Sequence, residues 1–546
     1  MTSANPSHRR SGTLARRMSA PNLQRAARRP GPRLVPGAWL AGASLAVAAA
    51  LAAPPAARAA DPPRPHVVLI LADDLGYGDL SAYGASDLPT PHVDRLAREG
   101  IRFTAAYAAA NTCSPSRAAL LTGRYPPRTG VNAVIFHDSP DGLPPEEITL
   151  AELLRDAGYA TAMVGKWHLG GSDAHMPWSQ GFNEFFGVPN SNDERNFFLY
   201  EGRRRIAERV DQTTLLQRYT ERALEIVARA AHAERPFFLY FAPNAPHVPL
   251  DPAPGFAGRT ARGPYGDVVA ELDASVGALL DALAAHGVDR DTLVIFTSDN
   301  GPWLAMREWG GSAGPLRGGK TGTFEGGHRV PALARWPAGI PAGREAHGLA
   351  TNMDWLPTIT ALAGVPLPDD RPIDGRSLVP VLRGTGEREA TPFFYLRLRP
   401  PFGDQRAVVG AVRVGDWKLH RPRRGYPAFL EPFVRLEFAG HGRLLFDLAT
   451  DPGERRDLAS RHPDVVERLE AEIARFEAQP FPPPVRVASE PADTRGWWKL
   501  ARSIAWLAVV VITTGALASA LLILLARLLL RRRRAAPRAR IDSRRP

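Results

Sequence analysis

His66–Ala72 reads HVVLILA and runs directly into Asp73 and Asp74, and this stretch decides the fold because three others repeat its pattern. Each of these is an apolar run of strand length that ends in polar residues: Tyr159–Val164, Pro236–Ala242 and Thr292–Ser298. Continuous apolar runs of this kind predict buried strands of a parallel sheet. Helical patterns alternate with them at Val93–Glu99, Leu150–Asp156, Leu215–Ala231 and Val268–His286. The alternation predicts βαβ units and therefore an α/β fold.

The polar residues after these strands are expected to lie together, because open α/β sheets bind ligands beyond the carboxyl ends of their strands. They include four oxygen donors, namely Asp73, Asp74, Asp299 and Asn300. Two adjacent carboxylates from one loop and an Asp-Asn pair from another suit a hard divalent cation, with Ca²⁺ first and Mg²⁺ as the alternative. One acidic pair after a strand is more often a helix cap or a turn, and it is the second pair that favours a metal site.

The only cysteine of the chain, Cys113, lies in the stretch ANTCSPSRAALLTGR at residues 110–124. The Ser-Pro directly after it is typical of a helix start and Gly123 of a helix end, so Cys113 is predicted at a helix N-terminus. Free N–H groups there favour an anion, and Arg117, one turn on, faces the same side. A free cysteine is most often a small buried apolar residue. Here its surroundings favour a nucleophile beside an anion site.

Cys-x-Pro-x-Arg followed by Ala-x-x-x-Thr-Gly-Arg, at residues 113–124, resembles the signature of type I sulfatases, in particular arylsulfatases and N-acetylgalactosamine-6-sulfatases. In that family a formylglycine-generating maturation enzyme oxidises the cysteine to formylglycine, also called 3-oxoalanine. The resemblance covers residues from about 64 to 480 as an ordered set of motifs. It implies an alkaline-phosphatase-like α/β fold, with a mostly parallel sheet flanked by helices and a smaller C-terminal antiparallel-sheet subdomain.

Residue by residue, the resemblance implies a site built on the strand ends. The implied metal ligands are Asp73, Asp74, Cys113, Asp299 and Asn300. The implied catalytic residues are Cys113, Arg117, Lys166, His168, His247 and Lys320, and the implied substrate-binding residues are Lys166, His247, Lys320 and Ser191. A lone Lys or His is most often solvated or structural, and we expect that of His137, His175 and His328.

The reaction that the resemblance implies is hydrolysis of a sulfate ester to an alcohol and sulfate. Formylglycine made from Cys113 is hydrated to a gem-diol, and one hydroxyl, its proton drawn off by the metal and Asp299, attacks sulfur. The cation, Lys166 and Lys320 hold the sulfate oxygens. Arg117 steadies the diol and does not react itself.

Departure of the leaving group requires a proton at its oxygen, which the resemblance assigns to His247 as general acid. His168 then takes the proton of the second hydroxyl as sulfate is expelled. The leaving group itself stays open between an aryl sulfate and a carbohydrate sulfate. Its recognition is expected to depend on the loops Ser172–Ser191, Phe197–Val210 and Pro302–Leu316.

Two other functions are compatible with the same residues. A phosphonate or phosphate ester hydrolase of this fold needs similar parts, because attack at tetrahedral phosphorus resembles attack at sulfur. Asn300 in place of a further aspartate leaves the site less negative and favours a singly charged sulfate ester. A catalytically silent binder of sulfated glycans is the second alternative, and it applies if Cys113 is never oxidised.

The pattern changes after residue 385. Alternating apolar and polar residues predict antiparallel strands at Pro392–Leu398, Ala407–Val414, Trp417–His420 and Arg443–Leu448, and a helix is predicted at Pro463–Gln479. We therefore predict a catalytic domain at 64–385, a C-terminal subdomain at 386–480 and a proline-rich linker at 481–503.

The net charge of +12 belongs to the two ends of the chain. Nine arginines and no acidic residue lie in residues 1–60, and nine arginines and one aspartate lie in residues 527–546. These ends carry more positive charge than the whole chain, so the segment between them is slightly acidic. This distribution argues against a nucleic-acid partner.

Both ends also carry apolar segments. Residues 1–59 are predicted to be a signal peptide, with an uncleaved anchor as the alternative. Residues 504–526 contain 23 uncharged residues, about 34 Å as a helix, which is enough to cross a bilayer. The arginines that follow predict a basic cytoplasmic tail at 527–546 and an exported catalytic domain. With a single cysteine that domain folds without disulfides, which favours a bacterial periplasmic or surface protein.

Overall fold

The computed structural model describes residues 64–194, 197–208, 210–397, 408–422, 442–488 and 521–522. Its strands are β1 (His66–Ala72), β2 (Ile101–Tyr107), β3 (Ala160–Lys166), β4 (Glu184–Val188), β5 (Leu199–Glu201), β6 (Arg204–Ala207), β7 (Phe237–Ala242), β8 (Thr292–Ser298), β9 (Arg329–Arg335), β10 (Arg344–Ala346), β11 (Ala350–Thr351), β12 (Phe393–Arg397), β13 (Val408–Val414), β14 (Trp417–His420) and β15 (Leu444–Asp447). Its α-helices are α1 (Pro91–Glu99), α2 (Cys113–Thr122), α3 (Pro126–Thr129), α4 (Leu150–Asp156), α5 (Leu215–Ala231), α6 (Gly263–Ala285), α7 (Glu325–His328), α8 (Trp355–Ala363), α9 (Val379–Arg383) and α10 (Pro463–Glu477).

The larger of two sheets has the strand order β10-β2-β9-β8-β1-β7-β3-β4-β5-β6, with β11 paired to β2. The run β8-β1-β7-β3-β4 is parallel throughout, whereas β9 lies antiparallel between β8 and β2. The four strands predicted from apolar runs are therefore confirmed as the centre of a mostly parallel sheet. β1 and β8 have the predicted bounds, and β3 extends to Lys166, so that this lysine ends a strand.

Helices cover both faces of this sheet because side chains alternate along each central strand. In β1, Val68 and Ile70 point to a core shared with α1, α5 and α6. Val67 and Leu69 point to the opposite core, which includes apolar residues of α2, α4 and α8. Burial on both faces explains why these strands read as continuous apolar runs.

Helix α6 begins at Gly263 and not at the predicted Val268. The five added residues read GPYGD and contain little apolar periodicity, so the pattern became visible only at Val268. Pro264 lies in the first turn, where its missing N–H is not needed. The helices α4 and α5 have the predicted bounds.

The smaller sheet is antiparallel and has the order β12-β13-β14-β15, which confirms the predicted C-terminal sheet. Leu469 and Ile473 of α10 are fully buried against it, together with Tyr107 of the large sheet. Residues 481–488, at the start of the predicted linker, are held by the body, because Arg486 forms an ion pair with Asp141 at 2.8 Å.

The predicted signal peptide and basic tail lie outside the described residues. The predicted span at 504–526 also lies outside them, apart from residues 521 and 522. In the ranges that the structure describes, no helix combines the length and the apolar character needed to span a bilayer. The two terminal segments therefore stay predictions.

Candidate active site

The carboxyl ends of β1 and β8 place the acidic residues side by side. Ala72 and Ser298 are register partners at the ends of these neighbouring strands, and the N–H of Asp299 donates to the carbonyl of Ala72 at 3.1 Å. The chain then turns sharply at Asp74, whose φ of 65° is tolerated by aspartate better than by most residues. Its N–H donates to Oδ1 of Asp299 at 3.1 Å.

These residues form a group of ligand atoms that fits a divalent cation. Atoms of Asp73, Asp74, Asp299 and Cys113 all lie within 4.8 Å of one another and are buried. The amide nitrogen of Asn300 donates to Asp74 at 2.7 Å, whereas its buried Oδ1 has no hydrogen-bond partner within the described ranges. An unsatisfied buried carbonyl oxygen beside three carboxylates is a donor set that suits Ca²⁺ or Mg²⁺.

The electrostatics of the carboxylates are consistent with this fit. Burial and the neighbouring Asp73 raise the pKa of Asp299 to about 7. Burial also disfavours the charge of Asp73, but Lys166 and the other surrounding cations hold the pKa of this carboxyl well below its usual range. Three carboxylates that crowd one another in this way are stabilised by a cation that binds them all.

Cys113 begins α2, as predicted, and Gly123 ends that helix in the left-handed conformation with φ of 68°. The side chain of Cys113 is 2% exposed. Its Sγ lies 3.5 Å from Oδ1 of Asp73 and 3.5 Å from Nζ of Lys320. Burial raises the pKa of the Cys113 thiol well above its ordinary value, so the unmodified residue is a neutral thiol.

Arg117 lies one turn further along α2 and is fully buried. Its Nε donates to Oδ2 of Asp299 at 3.0 Å, and its Nη1 donates to the carbonyl of Lys166 at 2.7 Å. The guanidinium also lies 3.4 Å from Asp73. Arg117 therefore joins the ends of β1, β3 and β8 and fixes the carboxylates relative to the helix.

Two lysines flank Cys113. The ammonium of Lys166 donates to Asp73 at 2.6 Å and to the hydroxyl of Ser191 at 3.1 Å. The ammonium of Lys320 donates to Asp74 at 2.8 Å. Burial disfavours both charges, but Asp73 raises the pKa of Lys166 and Asp74 raises that of Lys320, so both lysines stay protonated. The structure thus brings Ser191 to the site, where the local sequence match was weakest.

The two predicted histidines differ in their environment. His168 has a φ of 62° and is buried, and neither ring nitrogen has a hydrogen-bond partner among the described residues. Burial and the nearby Lys166 hold the pKa of His168 well below its usual range, so the ring is neutral. His247 is oriented by the carbonyl of Val248, 2.6 Å from its Nδ1, and its Nε2 lies 3.6 Å from Asp74. Each ring therefore has a nitrogen available for proton transfer.

Two residues that border the site were not singled out in the sequence, although Trp303 lies in the predicted recognition loop Pro302–Leu316. Trp303 lies against His247, with ring centroids 5.6 Å apart, and beneath the ammonium of Lys320 at 4.6 Å. Glu194 lies 3.6 Å from Nε2 of His168, and burial raises the pKa of its carboxyl to about 7. Trp303 follows the Asp-Asn-Gly-Pro turn by one residue and could have been found by position, whereas nothing local distinguishes Glu194.

The histidines that were expected to be structural or peripheral are not brought into the ligand group. His328 is fully buried and its Nδ1 lies 3.0 Å from the carbonyl of Ala108. His175 lies 2.9 Å from the hydroxyl of Ser172 in a turn. His137 is linked to the site only indirectly, because its N–H donates to Glu194 at 2.7 Å.

The fold and the site together define a hydrolytic enzyme of alkaline-phosphatase-like α/β architecture. The sulfatase family model matches residues 65–365, and a model described as N-sulphoglucosamine sulphohydrolase, C-terminal, matches residues 319–426. The chain belongs to the sulfatase family. Its membership makes it a sulfuric ester hydrolase, and the predicted resemblance is confirmed.

Relatives in several organisms cover most of the chain. Arylsulfatase A of Homo sapiens is 42% identical over 441 residues, which span 74% of this chain and 86% of that protein. N-acetylgalactosamine-6-sulfatase of Canis lupus familiaris is 42% identical over 388 residues, which span 66% of this chain and 72% of that protein. Steryl-sulfatase of Mus musculus is 36% identical over 557 residues, which span 82% of this chain and 88% of that protein.

Solved structures of sulfatases are also similar to this chain. The crystal structure of PsFucS1 sulfatase from Pseudoalteromonas sp. is 28% identical with a TM-score of 0.68, covering 82% of this chain and 96% of that chain. The crystal structure of Ps i-CgsB in complex with k-i-k-neocarrahexaose is 29% identical with a TM-score of 0.69. The match covers 80% of this chain and 98% of that chain. The phosphonate monoester hydrolase of Agrobacterium radiobacter, at 22% identity and a TM-score of 0.55, shares the fold alone.

Proposed function

We propose that this sulfatase hydrolyses an aryl or carbohydrate sulfate with formylglycine at residue 113 and a divalent cation, Ca²⁺ first and Mg²⁺ as the alternative. The observation that supports this most directly is the position of residue 113. Its Sγ lies 3.5 Å from a carboxylate oxygen of the ligand group and 3.5 Å from a lysine ammonium, at the start of a buried helix. A nucleophile there can bond to a sulfur atom whose oxygens face positive charge.

When present, the cation supplies positive charge for the sulfate oxygens, and hydrated formylglycine supplies the hydroxyl that attacks sulfur. The residues that would hold the cation are Asp73, Asp74, Asp299 and Asn300, together with residue 113.

Lys166 and Lys320 bind the sulfate. Both are protonated and buried; the Lys320 ammonium contacts residue 113, and the Lys166 ammonium contacts Asp73 and Ser191. In a buried site each ammonium stabilises negative charge more strongly than in water. Arg117 orients Asp299, which accepts the proton of the attacking hydroxyl.

His247 and His168 move the remaining protons. Nδ1 of His247 is held by a backbone carbonyl, so Nε2 is directed to the site and protonates the leaving oxygen. Neutral His168 accepts the second proton at a free ring nitrogen as sulfate departs. Trp303 lies against the ring of His247, so its own ring can contact an aryl or sugar ring of the leaving group that His247 protonates.

The activities for which the relatives are named support the choice of substrate class. They include an arylsulfatase, an N-acetylgalactosamine-6-sulfatase and a steryl-sulfatase, each of which is named for a sulfate ester. Asn300 makes the ligand group less negative than a fourth aspartate would, which favours a sulfate ester over a more highly charged phosphate ester.

The first experiment is peptide mass spectrometry of the fragment that contains residue 113, on protein from its native host. We expect a mass about 18 Da below that of cysteine, because conversion of the CH₂–SH group to an aldehyde replaces sulfur by oxygen and removes two hydrogens. The same preparation is then assayed with 4-nitrophenyl sulfate and with a phenylphosphonate monoester, beside the variant Cys113→Ala.

Turnover of the sulfate ester that is lost in Cys113→Ala supports the proposal. An unmodified thiol in active protein would contradict formylglycine chemistry. Faster turnover of the phosphonate would favour the other hydrolase, and binding of sulfated glycans with no turnover by modified protein would favour a silent binder.

We also propose an exported catalytic domain anchored through residues 504–526, with the formylglycine-generating enzyme as a maturation partner. Uncharged residues followed by clustered arginines support the orientation. External protease added to intact cells or spheroplasts should remove the catalytic domain and leave the C-terminal tail protected.

A further inference from the structure

Glu194 is a buried acid beside the proposed active site that has no role there so far. It lies in the segment that follows β4, and its side chain is only 4% exposed. The same segment is joined to the backbone of His168, whose N–H donates to the carbonyl of Pro189 at 2.9 Å. The loop that fixes the backbone of His168 therefore also brings a carboxyl group to its side chain.

Backbone donors hold this carboxyl group in one orientation. Oε1 of Glu194 accepts the N–H of Ser191 at 3.0 Å, and Oε2 accepts the N–H of His137 at 2.7 Å. Each carboxylate oxygen can accept a second hydrogen bond. Oε1 lies 3.6 Å from Nε2 of His168. This separation is slightly longer than a hydrogen bond, and a shift of about 0.5 Å would close it.

His168 needs a partner of this kind. Its side chain is buried, and among the described residues neither ring nitrogen has a hydrogen-bond partner. In a neutral imidazole one nitrogen carries the proton and the other accepts, and the partner of the first decides which is which. Catalytic hydrogen bonds are often long until the substrate is bound. Because Glu194 faces Nε2, Nδ1 is the nitrogen left to accept a proton.

The charges around the ring give the carboxylate a second use. Burial opposes protonation of His168, and so do Lys166, Arg117 and His247, whereas Asp73 favours it. When the ring accepts a proton, the carboxylate of Glu194 lies next to Nε2. A carboxylate behind an imidazole stabilises the cation that forms during proton transfer.

The carboxyl group itself titrates near neutral pH. Burial raises the pKa of Glu194 to about 7, the N–H groups of Ser191 and His137 oppose this shift, and the adjacent Asp193 adds to it. Glu194 is therefore ionised above about pH 7 and protonated below it.

We propose that Glu194 is a positioning residue whose carboxylate accepts the Nε2 hydrogen of His168, leaves Nδ1 to take a proton and stabilises the imidazolium. The proton moves from the second hydroxyl to Nδ1 as sulfate leaves, and it passes to water afterwards. This inference rests on the proposed function and adds to it a residue that acts through His168.

The first test separates this role from a structural one by kinetics. His168 acts after the leaving group has departed, and with a leaving group as good as 4-nitrophenolate the later step limits turnover. In matured full-length protein Glu194→Gln should therefore lower kcat for 4-nitrophenyl sulfate about tenfold and change kcat/KM less than about threefold. A merely structural loss would displace Ser191, which the Lys166 ammonium contacts at 3.1 Å, and would raise KM instead.

The matched control is Glu147→Gln. It removes another buried carboxyl group whose pKa is raised by burial, at a position where Arg124 and not a histidine is the neighbour. It should change neither kcat nor KM.

The second test needs no turnover. Full-length Cys113→Ala with ¹⁵N-labelled histidine is titrated by NMR across neutral pH, and His168 is assigned by adding His168→Gln. We expect the proton of the neutral ring at Nε2, and ring ¹⁵N shifts that change with a midpoint near pH 7 as Glu194 ionises. This midpoint should disappear when Glu194→Gln is added to Cys113→Ala.

Equal falls in kcat and kcat/KM, a raised KM at unchanged kcat, or no effect on either would overturn the proposal. So would a neutral His168 ring that carries its proton at Nδ1, or a midpoint that persists in Glu194→Gln. The tautomer is determined with Glu194 intact, so it decides even if Glu194→Gln fails to fold. Failure of the proposed function alone would abolish turnover in the parent and in Glu147→Gln as well, and would leave the NMR result unchanged.

Discussion

The molecule contains two buried clusters of charged residues that differ in how completely their polar atoms are paired. The catalytic cluster comprises Asp73, Asp74, Asp299, Asn300, Arg117, Lys166, His168 and Lys320. The inter-sheet cluster comprises Glu325 and Glu454 with Lys418, His420, Tyr107 and Tyr395, and it joins the large sheet to the small one. Side chains of both clusters are almost wholly removed from solvent.

In the inter-sheet cluster every carboxylate oxygen is occupied. Glu325 accepts hydrogen bonds from Lys418 at 3.0 Å and from the hydroxyls of Tyr107 and Tyr395, each at 2.6 Å. Glu454 accepts from His420 at 2.7 Å and from the N–H of Glu325 at 2.6 Å. Burial opposes ionisation of Glu325, but Lys418 and nearby arginines hold the pKa of its carboxyl far below the usual range.

The catalytic cluster is incomplete by comparison. Asn300 has an unsatisfied Oδ1, His168 has two ring nitrogens without hydrogen-bond partners in the described ranges, and the pKa of Asp299 is raised by burial. A completely paired cluster holds its surroundings in one arrangement, whereas an incompletely paired one has capacity left for a ligand. The difference distinguishes a structural function from a chemical one without reference to any relative.

The largest effect is expected where the incomplete cluster loses its proposed nucleophile. Cys113→Ala should lower kcat for a sulfate ester by at least about 10⁴-fold, because the remaining groups only bind and polarise the substrate. Thermal unfolding should stay within a few degrees of the parent protein, since the substitution leaves all ion pairs of the cluster intact. A large fall in melting temperature would show that residue 113 also has a structural function.

The next largest effect should come from breaking the complete cluster. Lys418→Met leaves Glu325 and Glu454 without their shared cation, so we expect a loss of about 3–5 kcal/mol in the free energy of unfolding by urea. Lys320→Met is the comparison, because it should mainly reduce turnover and cost less stability. An equal loss in the free energy of unfolding for the two lysine variants would contradict the proposed difference between the clusters.

Acid should also affect the complete cluster through His420. Burial lowers the pKa of His420 to about 4, below the ordinary value near 6.5, although Glu454 opposes this shift. The unfolded chain therefore binds the proton first as the pH falls. The contribution of His420 to stability should be full above about pH 6.5 and decline by about 3 kcal/mol towards pH 4. Urea titrations across this range on the parent and on His420→Gln would show a weaker decline in the variant.

The smallest expected effect concerns the capacity of the catalytic cluster for a cation. Ca²⁺ at about 100 times its Kd should stabilise the protein by about 2.7 kcal/mol, because the unfolded chain lacks the assembled site. Calorimetry with added Ca²⁺ or chelator measures this shift without turnover. Asn300→Ala should reduce it, whereas Asn352→Ala, which removes a buried asparagine outside the ligand group, should retain it. An equal Ca²⁺ shift in both variants would show that the cation binds elsewhere.

Much of the fold could be predicted because strands that are buried on both faces of the sheet appear in the sequence as continuous apolar runs. The apolar runs of β1 and β8 have the same bounds in sequence and structure, and they place Asp73 and Asp299 next to each other. The oxygen donors and the helix start at Cys113 were found for the same reason, since turns and caps depend on neighbours in the chain.

The inter-sheet cluster could not be predicted in this way. Glu325 and Glu454 are 129 positions apart, and each is an ordinary charged residue in its local sequence. Their meeting depends on β9 being inserted antiparallel between β8 and β2 and on the small sheet packing against β2. Such long-range pairing has no periodicity that a local pattern could show. Glu194 beside His168 was missed for the same reason.

If Cys113 is oxidised as proposed, its burial also sets an order of events during biosynthesis. In the folded protein this side chain is 2% exposed, and it is enclosed by residues of β1, β3 and the loop that carries Lys320. An enzyme that oxidises it needs the surrounding chain in an open form. Residue 113 leaves the ribosome well before residue 320. There is therefore an interval in which the segment around residue 113 has been synthesised but the loop that carries Lys320 has not. The time available for maturation is then limited by the rate at which the later half of the chain is synthesised and folds.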